Sequence, residues 1–202
     1  YEIEVSAVKT LASVYKADTL PALVINGKAY SGLQYISDVE KIIPEIQDSN
    51  SIDLIISPHL DDAILSLGGT MATFPGSPVV VTVFAWAPDV VKKDAPWDVE
   101  SGFEDSSQAI MSRIKENTNA AAIYGAKTVN LKYEDYLYRK GESDIGIEQN
   151  IIKDIEDIIK TNNKPGVKIN IYGPAVFDAS IEHPDHLIVH NAFIKVAKNL
   201  GN

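Results

Sequence analysis

The sequence contains no cysteine among its 202 residues. That absence excludes disulfide bonds, a cysteine nucleophile, an iron–sulfur centre and any zinc site built on thiolate ligands. Histidine and carboxylate side chains are the strong transition-metal ligands that remain, and the chain has only four histidines. A transition-metal site in this protein must therefore draw on histidine and carboxylate positions.

Basic side chains and long apolar runs are also scarce. Lysine and arginine number 18 against 28 acidic residues, and the resulting net charge of −10 argues against a nucleic-acid partner held through phosphate neutralisation. The longest apolar run, residues 78–87, is far shorter than the roughly 20 residues that span a bilayer, so we expect no membrane segment. The chain begins at Tyr1 without a signal-peptide pattern, and we expect a fragment of a longer protein whose compartment the composition does not identify.

The first fifty residues predict a small αββα unit. Asn26-Gly27 is a strong two-residue hairpin turn between predicted strands at residues 22–25 and 28–30. Apolar spacing predicts a helix on each side of this hairpin, over residues 5–17 and 38–46. The polar stretch at residues 47–51 predicts a linker, so residues 1–50 and 51–202 are expected to form separate domains.

From residue 52 onward, apolar strands alternate with amphipathic helices. Strands are predicted over residues 53–57, 78–86, 128–131 and 167–172. Helices are predicted over residues 62–73, 106–124, 147–161 and 185–200. Such alternation is typical of an α/β domain, here a Rossmann-like parallel sheet with flanking helices and right-handed crossovers. Two polar segments, residues 87–105 and 132–146, predict long loops of the kind that shape a site.

Three of the four histidines lie in two short polar clusters that follow predicted strands. His59-Leu60-Asp61-Asp62 comes just after the strand at residues 53–57, and His183-Pro184-Asp185-His186 is reached by a loop after the strand at residues 167–172. The carboxyl ends of parallel strands meet at one edge of a sheet, where open α/β folds place their ligands. We therefore expect the two clusters to lie close together.

The combined clusters have the ligands of a catalytic zinc site. His59 and Asp62 are three residues apart at a helix start and can aim at one point, and His186 is the best third ligand. Three protein ligands leave a coordination position for water, whose pKa zinc lowers to roughly 7. Iron and other divalent metals can share such ligands, so the sequence predicts Zn²⁺ or another divalent metal.

The other polar residues of the clusters suit proton transfer. Asp61 is next to a ligand but projects differently, which predicts a general base. His183, held by Asp185, is predicted to stabilise an oxyanion as an imidazolium or to protonate a leaving nitrogen. His190 follows His186 by one turn without the glutamate of a zinc-protease helix, so we expect a supporting or surface role.

Each motif also has a structural alternative. His-x-Asp-Asp could be a helix N-terminus at which aspartate binds free N–H groups, and His-Pro-Asp-His could be a helix start with exposed histidines. The presence of both motifs after buried strands favours the metal site.

These residues also carry a family resemblance. Residues 58–69, Pro-His-Leu-Asp-Asp-Ala-Ile-Leu-Ser-Leu-Gly-Gly, resemble the signature of the LmbE/PIG-L family of N-acetylglucosaminyl deacetylases, in which a His-Pro-Asp-Asp-Glu motif pairs with a late His-Pro-Asp-His. The resemblance extends over residues 52–200 and includes the Arg-x-x-Glu helix at Arg113. The chain departs from it at Ala63, where many members have glutamate, and it ends soon after the last motif, so some pocket walls are expected to be missing.

The resemblance implies a role for each matching position. It implies metal binding by His59, Asp62 and His186, a base at Asp61 and an acid or oxyanion partner at His183. It also implies that Arg113 and Asp135 face a sugar, although Arg113 could equally be a solvated helix residue.

The amino-terminal unit is similar to the second half of a thioredoxin-like domain. Residues 19–28, followed by Tyr30 and Gly32, carry this similarity, with Pro21 at the position of the cis-proline of such domains. The half that would carry a redox Cys-x-x-Cys is absent. An ordinary αββα extension of the sheet is the alternative interpretation.

The sequence as a whole predicts a zinc-dependent N-deacetylase that acts on an N-acetylglucosamine-type sugar or its conjugate. Two alternatives stay open: an amidase for another small amide, and a metal-binding or sugar-binding module without turnover. Asp61 argues against the second, whereas Ala63 and the short carboxyl end favour it. The absence of a Gly-x-Gly-x-x-Gly after any predicted strand argues against a nucleoside or dinucleotide module. The sequence leaves the aglycone and the oligomeric state open.

Overall fold

A computed structural model describes residues 22–25, 28–31, 51–139, 144–176 and 183–200. The chain divides into two units, Tyr1–Asp48 and Ser49–Asn202. In the first unit, β1 (Ala22–Ile25) pairs antiparallel with β2 (Lys28–Ser31), as the Asn26-Gly27 turn predicts. The two helices predicted beside this hairpin, and Pro21, lie outside the described residues. The thioredoxin-like resemblance therefore stays a prediction.

The second unit is built on a four-stranded parallel sheet, which confirms the predicted fold class. Its strands stand in the spatial order β5-β4-β3-β6. They are β3 (Ser51–Ser57), β4 (Val79–Thr82), β5 (Lys127–Asn130) and β6 (Lys168–Tyr172). The helices are α1 (Asp62–Met71), α2 (Pro96–Glu100), α3 (Ser106–Ile123), α4 (Asp144–Asn162) and α5 (Pro184–Leu200). In the described part of the chain, none of the helices combines the length and the apolar composition needed to cross a membrane.

The sheet is covered on both faces because its central strand is apolar on both sides. Leu54 and Ile56 of β3 pack in one cluster with residues of α4 and α5, among them Ile151 and Val189. Ile55, which points the other way, packs in a second cluster with residues of α1 such as Met71. A strand buried on both faces is typical of parallel sheets and explains the continuous apolar run of β3.

The strand order reverses direction at β3, because the chain passes from β3 to β4 on one side and returns to β6 on the other. Loops that leave neighbouring strands in opposite directions open a crevice at the carboxyl edge of the sheet. The loop after β3 and the start of α5, which carry the two histidine clusters, both lie at this point of the topology.

Two segments differ from the sequence prediction. The regular part of β4 ends at Thr82 rather than at residue 86, because the following backbone turns to the loop after β3: the N–H of Val83 donates to Ser57 O and the N–H of Phe84 to Pro58 O. The predicted loop at residues 87–105 contains α2. Ala95 from this segment packs with Tyr138 from the other predicted loop. Contacts between two loops distant in sequence leave no periodic pattern in either one.

The carboxyl group of Asp53 is nearly fully buried in β3 and is held from β6. Its Oδ1 accepts hydrogen bonds from Asn170 Nδ2 at 2.9 Å and from the Tyr172 hydroxyl at 3.1 Å. Burial and the neighbouring Asp53 carboxylate raise the pKa of Tyr172 to about 12. The hydroxyl therefore keeps its proton in the folded protein at pH values where it would lose it in the unfolded chain.

Replacement of Tyr172 by phenylalanine is expected to lower the free energy of unfolding by about 1 kcal/mol near neutral pH, because one hydrogen bond to a buried carboxylate is lost. An unfolded tyrosine has a pKa of about 10, so the hydroxyl contributes fully below about pH 10. The contribution is lost as the pH rises toward the folded-state pKa of about 12. Urea unfolding of the wild type and Tyr172→Phe across this range measures the difference, and a difference that grows with pH contradicts the assignment.

Candidate metal and catalytic site

The loop after β3 is held by its own side chains. The Ser57 hydroxyl donates to His59 O at 2.7 Å and accepts the N–H of Ala63 at 3.1 Å, so it joins the end of β3 to the first turn of α1. Asp62 Oδ2 accepts the N–H of His59 at 2.9 Å. These bonds fix the backbone at His59 and Asp62. The Asp62 carboxylate therefore both stabilises the loop and belongs to the histidine cluster.

The second cluster lies at the start of α5, which begins at Pro184. Proline suits the first turn of a helix because its missing N–H needs no partner there. Asp185 is fully buried, whereas His183 is exposed and His186 is half-buried. The backbone N–H of Asp185 lies 3.3 Å from His183 Nδ1.

The structure brings His59, Asp62 and His186 together. Asp62 Oδ2 lies 3.3 Å from His59 Nδ1 and 3.2 Å from His186 Nε2. One donor atom from each of the three residues falls within 4.8 Å of the others. Tetrahedral zinc with bonds of about 2.0–2.1 Å has neighbouring ligand atoms about 3.3 Å apart. The donor types and the separations from Asp62 therefore fit a divalent metal such as zinc.

A second group of possible ligands surrounds the other nitrogen of His59. It consists of Asp135, His183 and Asp185, with His59 Nε2 at 3.1 Å from Asp185 Oδ2 and 3.6 Å from Asp135 Oδ2. Both oxygens of Asp185 already accept hydrogen bonds, Oδ2 from the N–H of Tyr136 at 2.8 Å and Oδ1 from Arg139 at 2.6 Å. The guanidinium and these donors disfavour a cation on that side, so the group with Asp62 is the better metal position.

Neighbouring carboxylates favour the charged form of His59. Burial alone would lower its pKa, but hydrogen bonds with Asp185 and Asp62 and the charge of Asp135 raise the pKa to about 10. Burial opposes ionisation of Asp62, yet its contacts with His186 and His59 hold its pKa well below the usual range. Because histidine binds a metal through an unprotonated nitrogen, metal uptake must displace the proton on His59.

Asp61 and His183 line the same cavity as the three possible ligands. Asp61 is exposed and makes no side-chain cap bond to α1, so its carboxylate is accessible from the cavity. Partial desolvation of the ring and the charge of the nearby His59 lower the pKa of His183, which favours the neutral ring. With Nδ1 facing the N–H of Asp185, the neutral ring carries its proton on Nε2.

The cavity has a volume of about 730 Å³ and is lined by residues from both clusters and from the two long loops. Arg113 and Asp135 line it, as does the exposed Trp97 of α2. Arg113 also pairs with the buried Asp98 at 3.2 Å, so it is a held residue rather than a freely solvated one. Asp135 Oδ1 accepts the N–H of Leu137 at 2.8 Å, which leaves Oδ2 on the side of His59.

One predicted contact differs in the structure. The Asp185 carboxylate was expected to hold His183, but it contacts His59 and Arg139 instead, and its burial keeps it away from any substrate. The buried Asp185 carboxylate is therefore placed to orient His59 rather than His183. The sequence reasoning also missed Arg139, Asp98 and Trp97, which belong to segments predicted to be loops; only Pro96 beside Trp97 hinted at a helix start.

Comparison with known proteins identifies the family. A family model described as PIG-L, GlcNAc-PI de-N-acetylase, matches residues 54–197, and the chain belongs to this family. The match confirms the resemblance carried by the two histidine motifs. A comparison with curated protein sequences found no match.

Several solved structures are similar to this chain. The A40926 pseudoaglycone deacetylase Dbv21 is 28% identical, with a TM-score of 0.62, over 74% of this chain and 60% of that chain. The zinc-inhibited form of the teicoplanin deacetylase Orf2 is 24% identical, with a TM-score of 0.61, over 74% of this chain and 64% of that chain. The N,N'-diacetylchitobiose deacetylase from Pyrococcus horikoshii is 18% identical, with a TM-score of 0.53, over 84% of this chain and 61% of that chain. The last two establish similarity of fold alone, and the chain spans less than two thirds of each of these proteins.

Replacement of His186 by alanine is expected to remove stoichiometric metal, because it deletes one of three protein ligands. Elemental analysis after dialysis against a trace of zinc should give about one metal per wild-type chain and less than about a tenth of that for His186→Ala. His190→Ala is the matched control, since His190 lies one turn further along α5 and contacts Pro174 O rather than the cluster. Full metal retention by His186→Ala contradicts the assigned ligand set.

Proposed function

We propose that this protein is a metal-dependent deacetylase that removes the acetyl group from an N-acetylated amino sugar or its conjugate. Membership of the PIG-L family supports this reaction. The observation that carries the proposal is the set of donors around Asp62, with the accessible carboxylate of Asp61 in the same cavity. Such a site has both a place for a Lewis acid and a base next to it.

We propose His59, Asp62 and His186 as the residues that would hold the metal, with zinc as its identity. When bound, zinc acts as a Lewis acid toward a carbonyl oxygen and lowers the pKa of water to about 7. One similar structure is a zinc-inhibited form of a teicoplanin deacetylase. A comparison of zinc with other divalent metals over a range of concentrations tests this choice.

The proposed reaction is hydrolysis of an amide, in which water adds to the acetamide carbonyl and the carbon–nitrogen bond then breaks to give acetate and a free amine. Asp61 would accept a proton from the attacking water. The Nε2–H of His183 would donate a hydrogen bond to the carbonyl oxygen as negative charge develops on it. The nitrogen leaves after it is protonated, and Asp61, which lines the cavity and then carries the proton taken from the water, would return that proton to it.

We propose that Arg113 and Asp135 bind the hydroxyl groups of the sugar. Both line the cavity, and each is held in place by another contact, Arg113 by Asp98 and Asp135 by the N–H of Leu137. Apolar side chains, among them Leu65 and Trp97, also line the cavity. An aromatic face suits the apolar face of a sugar ring or of an attached group, which supports a conjugate rather than a small free amide.

The departure from the family motif at Ala63 does not weaken the proposal. Ala63 is buried at 4% exposure and packs with Ile55 and Met71 in the core. Its side chain is not among those that line the cavity. A module that binds metal or sugar without turnover stays the second candidate, and it predicts bound metal with no amine release by the wild type.

Asp61→Asn is expected to keep its metal but to lower the rate of amine release from N-acetylglucosamine conjugates by at least about 100-fold, because the base that accepts the proton is lost. Release of primary amine and of acetate measures the rate, and elemental analysis measures the metal. Asp157→Asn is a control for the chemical change, since Asp157 is exposed on α4 and does not line the cavity. Unchanged activity in Asp61→Asn would rule out the proposed role of this carboxylate.

A further inference from the structure

Arg139 is buried beside the site but has no place in the proposed reaction. It lies in the loop after β5 and is 8% exposed. Its guanidinium donates to Asp185 Oδ1 at 2.6 Å and to Glu134 O at 2.8 Å. It also lies over the ring of Phe84, with 4.7 Å from Cζ to the ring centroid. Three separate contacts therefore fix the orientation of one buried cation.

Asp185 connects this cation to His59. Its carboxylate is fully buried, and while Oδ1 is bound by Arg139, Oδ2 accepts the N–H of Tyr136 at 2.8 Å and contacts His59 Nε2 at 3.1 Å. A carboxylate held at both oxygens cannot rotate away from the imidazole. The fixed oxygen makes Nε2 the protonated nitrogen of a neutral His59 and leaves the Nδ1 lone pair on the side of Asp62.

The series of contacts from Arg139 through Asp185 to His59 differs from an ordinary buried ion pair. In an isolated pair, Arg139 and Asp185 would neutralise each other's charge and would contact no proposed metal ligand. Here the second oxygen of the carboxylate ends on a proposed metal ligand, and His59 Nδ1 lies 3.3 Å from Asp62 Oδ2 on the opposite side of the ring. Carboxylates that orient a ligating histidine in this way raise metal affinity, and their loss typically weakens binding about 10- to 100-fold.

We propose that Arg139 is a positioning residue of the metal site, which acts through Asp185 to hold His59 with Nδ1 directed at the metal position. This inference rests on the metal site of the proposed function and adds a residue outside the cavity lining to it. The loop after β5 would then have two roles. Its Asp135 lines the cavity, and its Arg139 holds Asp185.

Metal affinity tests the inference without reference to deacetylation. Competition with a chromophoric chelator gives the Kd of zinc and of cobalt for the wild type, Arg139→Met, Asp185→Asn and the double variant. Arg139→Met is expected to weaken both metals about 10- to 100-fold. In the Asp185→Asn background, Arg139→Met should cause little further weakening, because the two residues act in series.

Two further variants separate positioning from general loss of structure. Arg113→Met removes another arginine that pairs with a buried aspartate, and it is expected to leave the Kd of both metals unchanged. Arg139→Lys keeps the charge but offers a single point donor in place of the fork that joins Asp185 to Glu134, so it should restore only part of the affinity. Thermal unfolding of each metal-free variant establishes that it is folded.

A spectroscopic signature reports on the histidine itself. In the zinc-loaded wild type, the nitrogen NMR shifts of His59 should identify Nε2 as the protonated atom and Nδ1 as the bound one. Folded Arg139→Met should show exchange between Nδ1-bound and Nε2-bound His59, or a changed absorption spectrum of the cobalt-loaded protein. If Arg139→Met does not fold, Arg139→Lys gives the same comparison with the charge retained.

The outcomes separate this inference from the proposed function. Wild-type Kd values in folded Arg139→Met or Arg139→Lys overturn the role of Arg139 and leave the metal site intact. If Arg139→Met and Arg113→Met weaken metal binding equally, the role of Arg139 is also overturned, because the effect is then not specific to the contacts through Asp185. A wild type that binds no stoichiometric metal overturns both the inference and the proposed function.

Discussion

The Asp185 carboxylate is the charge on which the site depends. It is fully buried at the start of α5, where an unpaired carboxylate would be strongly destabilising, and it is matched by Arg139, by the N–H of Tyr136 and by His59. These partners come from the loop after β5 and the loop after β3. Burial alone would raise the pKa of Asp185, but the hydrogen bonds from these partners lower it below its usual value. One buried anion thus joins three separate segments of the chain at the carboxyl edge of the sheet.

The site divides into a part built on regular structure and a part built on loops. The proposed metal ligands stand at the end of β3 and the first turns of α1 and α5, so their positions follow from the packed sheet and helices. The proposed substrate residues Arg113 and Asp135 belong to α3 and to the loop after β5, and a short apolar cluster ties that loop to the segment around α2. The proposed metal ligands and the proposed substrate residues therefore have different structural supports.

The sequence predicted the parts of this arrangement that depend on local patterns. Alternating apolar strands and helices predicted the parallel sheet, and the two histidine motifs, each placed after a strand, predicted the residues that now surround Asp62. The contact between Arg139 and Asp185 could not be predicted, because it depends on how a loop packs against the start of a helix 46 residues away. The same holds for α2, a five-residue helix whose pattern is too short to have a period.

The contact between His59 and Asp185 spans 126 residues of the chain, and the contact between Asp62 and His186 closes the same loop. Closing a loop of this length carries an entropic cost, which the parallel pairing of β3 with β6 helps to offset because it brings the two segments to the same edge of the sheet. An ion that binds only the assembled site stabilises the folded state by mass action, with a gain that grows with its free concentration. A metal bound there would link the loop after β3 to the start of α5, and its concentration would then set part of the stability of the folded domain.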